Sequence, residues 1–194
     1  MFEPGSKFSY SSYGFNLLSA VIEGASGEDF LPFIQREVFS ALGMTLTCPD
    51  KNDSIIVNRT SFYQLNSLNT INNAPYVDNS YKWAGGGFIS TTMDLVRFGE
   101  AHLMPGFLSA NTLKELTTTQ VLHNGNETGY GIGWGTTNRN QLQRFGHGGG
   151  SVGGITQFQI YPEEKAIIVL LSNSSNTNYG NLVDQIIKLF LETK

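Results

Sequence analysis

The sequence predicts an α+β domain, an antiparallel sheet flanked by helices, on three observations. Apolar residues recur at helical spacing near the N-terminus, short extended segments separated by turn signals follow late in the chain, and a last helical stripe closes it. Helices first and strands next divide the chain into a helical and irregular region over about 1–125 and a sheet region with a C-terminal helix over about 126–194. With 194 residues, a single unit with a sizeable core is expected.

Phe15, Leu18, Ile22 and Ala25, reinforced by Leu17 and Val21, set the period of a first amphipathic helix that Ser11 and Ser12 can cap and Gly27 stops. A second helix is expected from about Asp29 to Leu42, with Pro32 in its first turn and Gly43 past its end, so that the two form a hairpin. Thr45 to Lys82, rich in Asn, Ser, Thr and Asp, reads as a long irregular excursion with short strands or turns. Three successive glycines after Ala84 make a backbone-permissive turn, and Ser90 and Thr91 supply caps for a helix from about Met93 to Met104. A short helix follows from about Ala110 to Thr118. Tyr130 to Gly135, Leu142 to His147 and Ile155 to Ile160 are extended candidates, and Pro162 to Lys165 is a turn. Ala166 to Leu171 is a continuous apolar run, as in a strand buried on both faces. Leu182, Val183, Ile186, Ile187 and Phe190 form the stripe that would cover one face of the sheet.

Composition excludes several classes. Charged residues are 14% of the chain against roughly 25% in an average domain, and the net charge is −4. Without clustered Lys and Arg, phosphates cannot be neutralised, so nucleic acid is not an expected partner. Cys48 is the only cysteine and cannot form an intrachain disulfide. The first residues carry no basic segment followed by an apolar run, as a signal peptide would, and no stretch reaches the roughly 18 apolar residues of a membrane span. His102, His123 and His147 lie far apart without a metal-ligand spacing, so no metal and no cofactor is expected. His102, late in its helix, is expected to serve the C-terminal dipole.

Three segments carry chemistry: Phe8-Ser9-Tyr10-Ser11-Ser12, Trp83-Ala84-Gly85-Gly86-Gly87 and Gly146-His147-Gly148-Gly149-Gly150-Ser151. Each alone is weak, since Tyr10 could be a packing aromatic and His147 a turn residue. In this order and spacing they resemble the serine hydrolases that include class C β-lactamases, D,D-peptidases and related esterases. Tyr10 to Ser12 is similar to the Tyr-x-Asn segment, Ala84 to Thr91 to the mid-domain motif, and His147-Gly148-Gly149 to the Lys-Thr-Gly or His-Thr-Gly strand. Pro75 to Gly87 is especially similar to the animal mitochondrial branch of the family and its bacterial relatives.

The resemblance implies a β-lactamase/transpeptidase-like fold and an acyl-enzyme mechanism, in which the serine of a Ser-x-x-Lys helix attacks a peptide, ester or amide carbonyl and water releases the acyl group. It implies that Tyr10 is the acid/base partner, that His147 hydrogen-bonds the Tyr10 oxygen or the substrate, and that the Gly150 N–H faces the oxyanion while Gly149 lets the substrate approach. A phenol, which ionises near pH ~10, acts as a base only beside cations. Ser12 stands where the family has Asn, and Gly148 where it has Thr, which favours a peptidase or esterase over a dedicated β-lactamase.

None of the seven lysines has a serine three residues before it, so this chain contains no Ser-x-x-Lys. The expectation is a C-terminal part of the fold, without its first strands and nucleophile helix, inactive alone and prone to homo-oligomerise through uncovered apolar surface. The compartment stays open between periplasmic or secreted and mitochondrial. A rival class is a non-catalytic binding or self-assembling module on the same scaffold. A second rival is an α/β-hydrolase, because Gly149-Gly150-Ser151-Val152-Gly153 matches a nucleophile elbow, although a strand, not a helix, is expected after it.

Overall fold

The computed structural model describes residues 2–193. In chain order its main elements are α1 (Ser12–Ser26), α2 (Phe30–Ile34, continued by π-helical turns over Gln35–Ser40), β1 (Cys48–Pro49), β2 (Tyr63–Leu65), β3 (Ile71–Asn73), β4 (Phe88–Ile89), α3 (Thr92–Leu103), α4 (Ala110–Thr117), β5 (Phe145–Ser151), β6 (Gly154–Tyr161), β7 (Ala166–Ser172) and α5 (Leu182–Glu192). They fall into two units. Ser9–Ser61 with Pro75–Phe98 make a helical unit, and the remaining described residues make a sheet unit.

In the helical unit Ser11 caps α1, because its extended backbone turns Oγ to accept from the Gly14 N–H at 3.2 Å. Gly27, left-handed at φ 72°, ends the helix. Phe15 and Ile22 are half-buried, whereas Leu17 and Val21 remain more than 60% exposed, so the predicted apolar stripe is only partly covered. The second helical segment widens after Ile34 and ends in a Schellman motif. Gly43 takes φ 67°, the Met44 N–H reaches the Phe39 carbonyl at 2.7 Å, and both Phe39 and Met44 are buried.

The excursion after Thr45 is held by two buried carboxylates more than by apolar contacts. Asp94, fully buried, accepts from the Leu46 N–H at 2.8 Å, the Thr47 hydroxyl at 2.9 Å and Arg97 at 2.7 Å. Asp50 takes both arms of Arg59, at 2.6 and 2.9 Å, and the Asn79 amide at 3.2 Å. Loops with no periodicity of their own are thus ordered by satisfying donors that burial would otherwise strand. Between these anchors β1 pairs antiparallel with β4, Cys48 opposite Ile89.

The sheet unit is a meander of order β5-β6-β7, antiparallel throughout, with a β2–β3 hairpin whose Tyr63 also bonds Asn173 and Ser175 just past β7. Tyr161, Ala166 and Ile168 meet Val183 and Ile187 of α5 in the core of one face. On the opposite face Ile160 is fully buried and Gly99 of α3 brings that helix against Ile167, where a Cβ would stand 3.0 Å from the side chain. Trp134 packs edge-on against Phe145 at 5.2 Å and His102 at 5.1 Å. His102 is therefore a buried packing side chain as well as a helix-end residue.

Three expected boundaries moved. The strand placed at Leu142 to His147 begins at Phe145 and runs through the glycines to Ser151, since pairing to β6 supplies the bonds that glycine lacks the propensity to seek. Tyr130 to Gly135 is a tight reverse loop, closed by the Gly131 N–H to Trp134 carbonyl bond at 2.8 Å with Gly133 at φ 79°. In β7 buried Ala166 and Ile168 alternate with half-buried Ile167 and Val169, so the strand is not buried on both faces along its length.

Asp94→Ala strips the acceptor from the Leu46 N–H and the Thr47 hydroxyl. It should lower unfolding stability by about 3 kcal/mol, against about 1 kcal/mol for Thr47→Ala, as urea midpoints at constant m-value would reveal.

Candidate active site

Strand β5 is placed by a reciprocal pair of hydrogen bonds. The Gly135 N–H donates to the Gly146 carbonyl at 2.8 Å and the Gly146 N–H to the Gly135 carbonyl at 3.0 Å. Both bonds lie on the edge of β5 away from β6. Gly146 is itself obligatory, because a Cβ there would stand 2.3 Å from the Phe158 carbonyl oxygen. Backbone groups in a strand alternate with period two, so the outward direction of Gly146 is repeated at Gly148 and Gly150. Gly148, Gly149 and Gly150 are exposed, with none in the left-handed region, and form an extended edge that carries the Gly148 carbonyl and the Gly150 N–H.

His147 sits opposite Phe158 on the face that holds Trp134, Phe145 and Ile160. Its Nδ1 lies 2.5 Å from the Gly148 carbonyl oxygen, and its Nε2 lies 3.1 Å from the hydroxyl of Tyr130. The two rings meet nearly perpendicular, 6.0 Å apart, and Phe8 packs on the other ring at 5.6 Å. By sequence Tyr130 is only the first residue of an expected extended segment. Its partnership with His147 depends on the reverse loop that brings residues seventeen apart into contact.

Tyr10 and Ser12 belong to the helical unit. Tyr10, 49% exposed, precedes the cap of α1 and stacks at a tilt on Phe15 at 6.4 Å. Ser12 is the exposed first residue of α1. The carbonyl of Ser12 and the side chain of Asn16 crowd Gly85, where a Cβ would stand 2.8 and 2.1 Å from them, and the Asn16 amide donates to the Tyr81 carbonyl at 3.2 Å. The glycine run after Ala84 is thus a docking surface for the head of α1, which explains why that motif needs residues without a side chain.

The strand expected after Ser151 is present, which counts against a nucleophile elbow. Ser151 ends β5, Gly153 at φ 82° turns the chain into β6, and a Cβ at Gly153 would stand 2.3 Å from Phe62, so no helix follows the serine. Cys48, the chain's one thiol, is disfavoured electrostatically as a nucleophile. Burial pushes its thiol up, and the neighbouring Asp50 carboxylate pushes it in the same direction.

Comparison with known proteins bears on the family and the fold. The family described as Beta-lactamase matches residues 1–191. The human mitochondrial serine β-lactamase-like protein LACTB is 38% identical over 189 residues, 84% of this chain and 34% of the human protein. The octameric penicillin-binding protein homologue from Pyrococcus abyssi superposes with a TM-score of 0.85 at 23% identity, over 99% of this chain and 44% of that one. A penicillin-binding protein from Bacillus halodurans gives 0.81 at 23%, over 97% and 58%. The chain thus spans about a third of the length of its curated mitochondrial relative. Among the described residues no helix is long and apolar enough to cross a membrane.

A raised thiol leaves less thiolate at any pH below its ionisation. Cys48 in the folded chain should therefore react with iodoacetamide at pH about 8 several-fold more slowly than after unfolding in urea, with mass spectrometry as the readout.

Proposed function

We propose, from the premise that this chain belongs to the β-lactamase family, that it supplies the acid/base and oxyanion side of an acyl-transfer site whose serine nucleophile comes from a preceding Ser-x-x-Lys segment of the parent protein. The observation that carries the proposal is the exposed glycine edge of β5, with the Gly148 carbonyl and the Gly150 N–H directed outward beside His147. An extended acyl substrate can pair along such an edge, its carbonyl oxygen taking the Gly150 N–H as negative charge develops there. Gly149, exposed and without a side chain, leaves room for that approach.

In this reading Tyr10 accepts the proton of the attacking serine and delivers it to the leaving amine or alcohol, and the same relay in reverse activates the water that cleaves the acyl ester. His147 orients the substrate. Ser12 offers a short hydroxyl at the head of α1 in place of a carboxamide. Gly148 has no hydroxyl for a substrate carboxylate, which favours neutral-ended peptides, amides or esters over β-lactams and D-Ala peptides.

A second reading has an observation of its own. Leu17 and Val21 on α1 and Leu189 on α5 are each more than 60% exposed, an unusual amount of apolar helix surface. An assembly module that covers these faces with other copies is the alternative function, and sedimentation velocity distinguishes it by a concentration-dependent oligomer.

The chain alone is expected to hydrolyse neither nitrocefin nor p-nitrophenyl acetate, and turnover that Tyr10→Phe abolishes would overturn that. In the parent protein carrying Ser-x-x-Lys, Tyr10→Phe and His147→Ala should each lower kcat/KM by about 10²–10⁴. Gly148→Thr is sterically feasible, since its Cβ would meet only the flexible end of Gln157 at 3.0 Å. It should shift preference toward substrates with a free carboxylate, measured as the ratio of kcat/KM for acid and amide forms of one D-peptide.

A further inference from the structure

Tyr130 has no role in the family motifs that carry the resemblance, yet it is the side chain on which His147 rests. Its backbone is fixed before its side chain is considered. The Gln120 N–H donates to the Tyr130 carbonyl at 2.8 Å, the Tyr130 N–H to the Thr128 hydroxyl at 3.2 Å, and the loop that starts at Tyr130 returns to Gly135, which is bonded to Gly146 of β5. The phenol therefore stands on a support tied to the same strand that carries His147.

The hydrogen bonds of the imidazole determine its tautomer. A carbonyl oxygen can only accept, so the 2.5 Å contact from Nδ1 to the Gly148 oxygen places a hydrogen on Nδ1. In the neutral ring Nε2 then holds the lone pair, and the Tyr130 hydroxyl, 3.1 Å away, is the donor to it. If the ring gains a proton, the Nε2–H donates and the Tyr130 oxygen accepts. The hydroxyl reverses by rotation alone, without displacement of either ring.

We infer that Tyr130 is a positioning residue of this site, whose hydroxyl, acting with the Gly148 carbonyl, holds His147 in the Nδ1–H tautomer and in one ring orientation through both of its charge states. The inference rests on the reading above only in taking His147 as part of a site. Its consequence there is a division of labour. The Nε2 lone pair of His147 is already engaged, which leaves proton transfer to Tyr10 and makes His147 an orienting and electrostatic group. Its Nδ1–H also takes up one lone pair of the Gly148 carbonyl, so a substrate strand pairing at that edge must use the other.

The test reads the tautomer itself and needs no turnover. Long-range ¹H–¹⁵N spectra of the full chain labelled with ¹⁵N-histidine are recorded at pH about 8.5, where an ordinary imidazole is neutral. The His147 signals are identified by their loss in His147→Gln. The expected wild-type pattern has Nδ1 at the protonated end of the imidazole range and Nε2 at the unprotonated end. In Tyr130→Phe, which keeps the ring and its packing on Phe8, Nε2 should move toward the protonated end. Phe8→Leu, which alters the packing and leaves the hydroxyl, should keep the wild-type pattern. An Nε2–H tautomer in the wild type, or the same pattern in Tyr130→Phe, overturns the inference. Because these spectra are independent of catalysis, an inactive parent protein with the expected tautomer refutes the proposed function and leaves the positioning role standing.

Discussion

The hydrogen-bond pair between Gly135 and Gly146 is the constraint on which the sheet unit's site geometry depends. It ties the reverse loop after Tyr130 to the start of β5, fixes which edge of the strand looks outward, and through the period-two alternation sets the direction of Gly148 and Gly150. Gly146 tolerates no side chain, since a Cβ there would collide with the Phe158 carbonyl. Glycine is a poor strand former on propensity, so this strand exists because its two edges are engaged by β6 and Gly135.

The two units are stabilised by different physics. In the sheet unit an apolar core forms where Tyr161, Ala166 and Ile168 meet Val183 and Ile187, and its energy scales with the area removed from water. In the helical unit the irregular segment after Thr45 leaves Leu46, Ile55 and Val57 exposed. It is ordered around Asp94 and Asp50, whose carboxylates each collect several donors. Such networks are specific because they are costly when incomplete, which makes the path of an otherwise aperiodic chain definite.

Membership of the β-lactamase family places this chain among β-lactamase-like serine hydrolases, and its sequence contains no Ser-x-x-Lys. On the proposed reading the sheet unit contributes a glycine edge beside an imidazole. Most of that contribution is backbone. The features that would distinguish it from a β-lactam or D-Ala site are a hydroxyl at Ser12 in place of a carboxamide and the bare strand at Gly148, both subtractions from the usual set of hydrogen-bonding groups.

The sequence by itself determined the fold class, the helices at the two ends, the β6–β7 hairpin and the family. These rest on local period, on Ser11, Gly27 and Gly43 as stop and start signals, and on motif order, all of which are properties of neighbouring residues. Only the tertiary structure decided that the strand continues through residues 148–151, that His102 is a packing residue on Trp134, and that Tyr130 is the partner of His147. The physical reason is common to the three. Each depends on a contact between segments distant in the chain, where pairing and burial outweigh the local preference of glycine, of a helix-end histidine or of a tyrosine in an apparent strand. The same limit hid Asp50 and Asp94, which look like ordinary surface acids until the donors that surround them are folded into place.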